Sequence, residues 1–225
     1  MATRGTTDAA DRPPRAVARG DGLAAIMRSA REIFAERGYH GASIRDIAKG
    51  AGLSLSVLYY YHTGKQELLH ALLEDALDDC CRGCETALAT AGDDPAARLG
   101  AFVRATVEYR VRRQVDSLLA LRELRNLEPE RLERFVERRD ALPKLLLEII
   151  DDGVARGVFA TPYPDEAQRA ILAMCNAIAQ WYQPSGDLSV TELAERYVHL
   201  SLTLVQHHVP AAKAPATRKP RAKSR

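Results

Sequence analysis

Between residues 22 and 209 the apolar positions recur every three or four residues and show no sustained alternation, which predicts helices joined by short turns and no strand. In the first helix Leu23, Ile26, Ala30, Ile33 and Phe34 share one face, and Gly38 stops it. Ser43 then stands as an N-cap with Asp46 three residues on, a variant of the capping box, and a short second helix turns Ile44, Ile47 and Ala48 inward. It ends near Ala51-Gly52, and Ser54 caps a third helix over 55–61, closed by Thr63-Gly64. A long fourth helix opens at Lys65, with Leu69, Leu72, Leu73, Ala76, Leu77, Cys80, Cys84 and Leu88 in one stripe. Gly92-Asp93-Asp94-Pro95 breaks the chain, and Pro95 suits the first position of the next helix. Further helices are predicted over 96–113, 115–126, 128–156, 165–182 and 189–208, with Pro143 kinking or splitting the one that contains it. The fold class is therefore all-α, with about nine helices.

Composition narrows this little. A chain of 225 residues, 46 % hydrophobic and 28 % charged, can bury a core and form one or two compact domains. No apolar run approaches the roughly 18–20 residues that span a bilayer, and residues 1–20 lack the apolar block of a secretory signal. A cytoplasmic protein without a membrane partner is expected. Charge is more informative. The net +2 conceals +2 in residues 1–20 and +6 in residues 211–225, which leaves the body at about −6. Basic ends on an acidic body fit attraction to a polyanion such as DNA, or simply two solvated, disordered tails.

Other chemistry is thinly represented. Cys80, Cys81 and Cys84 invite a metal or redox reading, but Cys80 and Cys84 fall on an apolar stripe and no histidine completes a tetrahedral set. The six histidines are scattered, with no Ser-His-Asp ordering, no zinc motif and no phosphate loop after a strand. No metal, no cofactor and no enzymatic activity are expected.

The segment from Ser43 to His62 carries more. Two short helices joined through Gly52 must cross steeply, as in a helix-turn-helix. Ile47, Ala48, Leu53, Leu58 and Tyr59 would fill the small core, leaving Leu55, Ser56, Val57, Tyr60 and Tyr61 outward on a helix suited to the major groove. The residues alone leave open that all three tyrosines pack inside. The run from Ile26 through Leu68 resembles the DNA-binding domain of the TetR/AcrR family of bacterial regulators. It does so through Ala35-Glu36-Arg37-Gly38-Tyr39, Ser43-Ile44-Arg45-Asp46-Ile47-Ala48, Ala51-Gly52-Leu53-Ser54, Leu58-Tyr59-Tyr60-Tyr61-His62 and Lys65-Gln66-Glu67-Leu68-Leu69.

That resemblance implies a homodimeric regulator of a palindromic operator, most simply a repressor released by a small-molecule effector. Its parts would be a basic arm (1–20), a three-helix DNA-binding domain (21–66), a ligand-binding and dimerisation domain (67–209) and a basic tail (210–225). By the same resemblance Ser43, Arg45, Tyr60 and Lys65 approach phosphates, helped by the amides behind Ser43 and Ser54. Ser56, Val57 and Tyr61 would reach base edges or a thymine methyl. Three positions depart from the family: Leu55 replaces a common lysine or arginine, Val57 a hydroxyl residue, and Tyr61-His62 a histidine-aromatic pair. They predict more reliance on phosphates and on Arg12, Arg15 and Arg19 reaching the minor groove.

The last helix is apolar almost all round between Tyr197 and Val205, and the one before it is rich in alanine. Together they suit a four-helix dimer interface, with Ile171, Ile178, Tyr197, Leu200 and Leu204 as its residues. Trp181-Tyr182-Gln183-Pro184 is similar to a tryptophan-tyrosine-arginine-proline turn in family members that respond to CoA thioesters, with Gln183 in the arginine's place. An acyl-CoA or steroid-derived CoA thioester is the effector this implies. Phe102, Tyr109, Leu118, Leu121, Phe135, Met174, Trp181 and Tyr182 are the candidate pocket residues, chosen for apolar bulk on central helices.

Overall fold

The computed structural model describes residues 19–207. They form ten α-helices and one 3₁₀ turn: α1 (Arg19–Gly41), α2 (Ile44–Gly50), α3 (Leu55–Tyr61), α4 (Lys65–Thr90), α5 (Pro95–Arg112), α6 (Gln114–Glu123), the turn at Leu124–Asn126, α7 (Pro129–Arg139), α8 (Ala141–Ala155), α9 (Pro164–Trp181) and α10 (Val190–Leu204). No strand occurs among the described residues. Arg12, Arg15 and the basic tail lie outside them. The chain divides into two compact units between Leu68 and Leu69, a boundary that falls within α4.

Local chemistry explains most helix ends. At Gly38 the backbone turns to φ 67°, which breaks the helical run of α1 four residues before Ala42 enters the core. Ser43 accepts the Asp46 amide at 3.1 Å and donates its hydroxyl to the Asp46 carboxylate at 2.7 Å, so the cap is held from both sides. Asp94 caps α5 by accepting the Ala97 amide at 2.8 Å, with Pro95 in the first turn. The helix predicted over 128–156 is broken, not merely kinked. Pro143 has no N–H for the Arg139 carbonyl, so α7 ends at Arg139 and Pro143 falls in the first turn of α8, where no donor is needed.

In the second unit α5 is the central helix, packed most extensively on α10 and also on α8 and α9. Leu99, Phe102, Val103, Val107, Leu146, Ile150, Ile171 and Ile178 build the core around it. Each such side chain contributes about 1.5–3 kcal/mol by leaving water. Gly153 of α8 lies against the buried ring of Phe159, whose Cδ2 would sit 2.0 Å from an added Cβ. One side of α4 is bound by ion pairs: Arg112 to Asp79 at 2.9 Å, Arg113 to Asp75 at 2.5 Å, and Arg138 of α7 to both Glu74 and Asp78.

Candidate nucleic-acid interface and effector cavity

In the first unit α2 and α3 are joined by Ala51 to Ser54, with Gly52 at φ 68°. The turn is closed by backbone bonds from Ala51 to Ile47, Gly52 to Lys49 and Leu53 to Ala48, all at 3.0 Å. α2 lies close to α1: an added Cβ at Gly50 would stand 2.3 Å from the Ser29 hydroxyl, which donates to the Ile47 carbonyl at 2.9 Å. Ser54 caps α3 by accepting the Val57 amide at 3.3 Å.

The seven residues of α3 bury one line, and Leu58 is the residue wholly inside. Tyr59, expected in the core, is instead 50 % exposed, because it follows Leu58 by 100° of helix rotation. Tyr60 is 66 % exposed and Ser56 and Val57 are exposed beside it. Leu55 and Tyr61 are half-buried. Tyr61 lies against Gly22 of α1, where an added Cβ would stand 3.2 Å from its hydroxyl, and its ring meets that of Tyr60 edge-on at 5.2 Å. The outward face is thus a hydroxyl-rich patch without an acid on α3, flanked by exposed Ser43, Arg45, Lys49 and Ser54. Lys65 is committed in large part elsewhere: its ammonium donates to the carbonyls of Tyr39 at 2.8 Å and Ala42 at 3.0 Å and stands over the Tyr39 ring. One of its three N–H bonds remains for an outside acceptor.

His62 follows α3 and is buried, with Nδ1 3.9 Å from Glu67, and neither ring nitrogen makes a hydrogen bond among the described residues. Burial holds its pKa below the ordinary 6.5, and the Glu67 carboxylate only partly opposes this. The folded state therefore keeps a neutral imidazole while the unfolded chain takes up a proton. The contribution of the neutral His62 to stability is fully present above about pH 6.5 and is lost as the pH falls from there through the lower folded pKa. Thermal melts between pH 7.5 and 5.5 should show a fall in midpoint that His62→Phe reduces. Parallel curves for the two proteins would rule out His62 as the source of the fall.

The second unit holds a cavity of about 520 Å³ with a mainly apolar wall that includes Leu73, Leu77, Leu121, Leu132, Phe135 and Leu142. Of the residues expected to line a pocket, Tyr109, Leu121 and Phe135 do. Phe102 and Tyr182 are instead part of the packed core, with Met174 half-buried against it. Leu118 is half-buried and Trp181 is 47 % exposed, and neither lines this cavity. Tyr182 ties down a turn: its hydroxyl donates to the Leu188 carbonyl at 2.9 Å across the segment that separates α9 from α10. Apolar bulk alone did not reveal Cys80, Arg110, Ser117 or Asn176, which line the cavity through helix phases set by distant packing. Among the described residues no group of three or more metal-ligating side chains assembles.

Ile171 and Ile178, expected at a dimer interface, are wholly buried in the chain's own core and offer no surface to a partner. They share the inner line of α9 with Cys175, and the outer line carries Ala170, Ala173 and Trp181. Tyr197 is half-buried against the core, whereas Leu200 and Leu204 are 48 % and 40 % exposed.

Residues 26–72 match the model of bacterial regulatory proteins of the tetR family, and residues 92–205 that of the tetracyclin repressor-like C-terminal domain. The chain belongs to the TetR family. It is a DNA-binding transcription regulator and not an enzyme. This TetR-family chain is 29 % identical over 196 residues to the HTH-type transcriptional repressor KstR2 of Mycolicibacterium smegmatis, covering 86 % of this chain and 94 % of that one. It is 31 % identical to the TetR-family regulator PfmR of Thermus thermophilus, with a TM-score of 0.73 over 79 % of this chain and 97 % of the other. AibR, solved in complex with isovaleryl coenzyme A and operator DNA, shares the fold at 22 % identity and a TM-score of 0.73, over 83 % of this chain and 100 % of the other. No helix among the described residues of this TetR-family member is long and apolar enough to cross a membrane.

Proposed function

We propose that the chain is a homodimeric repressor that holds a palindromic operator through α2 and α3 and is released by an amphipathic effector in the cavity of its second unit. The observation that carries this is the outward face of α3, with Ser56, Val57 and Tyr60 exposed beside two capped helix starts at Ser43 and Ser54. In this reading Ser43, Arg45, Ser54, Tyr60 and the remaining Lys65 donor take phosphates. Ser56 and Val57 meet base edges, and Leu55 and Tyr61 brace the helix. Arg12, Arg15 and Arg19 follow the adjacent minor groove.

Pairing two such heads on half-sites one turn apart needs a two-fold interface. Exposed Leu200 and Leu204 of α10, with Tyr197 behind them and the small outer residues of α9, support one built from both helices. The repressor name of the KstR2 relative supports repression, and the Trp181-Tyr182 turn supports release by a CoA thioester or a related amphipathic molecule. An effector that favours the released state by ~2–3 kcal/mol weakens operator binding by ~30–150-fold.

The test uses the full chain and fluorescent DNA from upstream of its own gene. Dimers in sedimentation, binding in anisotropy and competition by unlabelled operator but not by unrelated DNA are expected. The double variant Leu200→Asp, Leu204→Asp should sediment as a monomer and lose at least tenfold in operator affinity. A wild-type chain that sediments as a monomer, or binds all DNA alike, would overturn the proposal.

A further inference from the structure

The cavity of the second unit contains a cation with no partner of opposite sign among the described residues. Arg110 of α5 extends into it as a part-buried side chain, over the ring of Tyr109 with 5.2 Å between guanidinium carbon and ring centre. Its guanidinium donates to two neutral oxygens, Asn176 Oδ1 at 2.6 Å and Ser117 Oγ at 3.3 Å. Its Nε–H is buried and makes no hydrogen bond among the described residues. The neighbouring arginines are arranged differently. Arg104 is paired with Glu195, Arg112 with Asp79, Arg113 with Asp75 and Asp116, and Arg138 with Glu74 and Asp78. No carboxylate among the described residues lies within ion-pair distance of Arg110, and no Asp or Glu lines the cavity.

A guanidinium partly withdrawn from water, with its Nε–H buried and unbonded among the described residues, gains from a counter-charge, and neutral acceptors supply only part of what its five N–H bonds can use. An apolar wall around such a group suits a molecule with a hydrocarbon body and one anionic head. A planar carboxylate matches the guanidinium fork and can displace Asn176 and Ser117 from it. Arg125, which also lines the cavity, is exposed and reinforces the same sign toward solvent, whereas Arg139 on the same wall is paired with Asp140 at 3.2 Å.

We propose that Arg110 is the head-group site of this cavity and that the effector class is an apolar carboxylic acid whose carboxylate docks on that guanidinium. The inference rests on the cavity being the effector site. Asn176 and Ser117 are positioning residues that hold the fork ready while the site is empty of anion.

Calorimetric titration of the full chain with dodecanoate, 1-dodecanol and dodecanoyl-coenzyme A tests it. Dodecanoate should bind about 10- to 100-fold more tightly than the alcohol, the range expected of a charge-assisted pair. Arg110→Gln should bring dodecanoate down to the alcohol's affinity and leave the alcohol within about twofold, which also shows that the variant is folded. Arg110→Lys, which keeps the charge but loses the fork, should recover part of the preference. Equal binding of acid and alcohol to the wild type would overturn the head-group site and leave the cavity reading intact. A preference for the acid that survives in Arg110→Gln, or tight thioester binding indifferent to that substitution with no preference for the acid, would do the same. Failure of all three probes to bind the wild type would overturn both readings, with operator binding still measurable separately.

Discussion

Replacing Gly153 with alanine is expected to cost about 1–3 kcal/mol of folding free energy, the usual range for forcing an extra methyl into a packed core. The Phe159 ring offers three atoms to the new Cβ, at 2.0, 2.3 and 2.8 Å, and the nearest ones belong to the rigid ring itself. The ring cannot swing clear, since it is 2 % exposed and its own backbone N–H is bound to the Gly153 carbonyl at 3.0 Å. Urea unfolding of the full chain should move its midpoint down, and the thermal midpoint should fall by about 2–4 °C for each kcal/mol lost. Gly83 supplies the contrast. It lies inside α4 with nothing within 4 Å of an added Cβ, so Gly83→Ala should raise stability by about 0.5–1 kcal/mol. Equal midpoints for the two variants would show that the contact between α8 and Phe159 yields at little cost.

The second large effect belongs to Arg45. A dimer on its operator uses the residue twice, so Arg45→Ala removes two phosphate contacts and should reduce the salt slope of binding by about 1.8. Affinity should fall roughly 10- to 100-fold at moderate salt and about equally on matched and mismatched operators. Anisotropy titrations across a range of KCl concentrations measure both quantities. Val57→Ala should behave in the opposite way, leaving the slope unchanged while relaxing discrimination at one base position. If Arg45→Ala altered discrimination and not the slope, the phosphate assignment would fall.

Features set by short-range chemistry were legible in the sequence. Ser43 and Ser54 cap because a hydroxyl beside an amide three residues on needs nothing from the rest of the fold. Gly52 turns at positive φ, and Asp94-Pro95 opens α5, for equally local reasons. Features set by phase or by distant partners were not. In a helix of seven residues one apolar side chain defines the buried line, so Tyr59 and Leu58 compete and only packing decides between them. Ile171 and Ile178 fit an interface as well as a core by spacing alone, and the core of the chain itself took both. Arg110 stood among many arginines because its distinction is a missing carboxylate, and the Asn176 that holds it is 66 residues away.

The ion pairs along α4 have a mechanical consequence. Glu74 and Asp78 form one row on that helix and Asp75 and Asp79 the next, about 100° round its axis. Arg112 and Arg113, at the C-terminal end of the central helix α5, grip the second row, while Arg138 of α7 grips the first. The inner side of α7 brings Leu132, Phe135 and Arg139 to the cavity wall. A molecule that displaces α7 therefore pulls one row while the other stays anchored, and the outcome is a torque. α4, whose Leu73 and Leu77 line the same cavity, would be twisted about its own length.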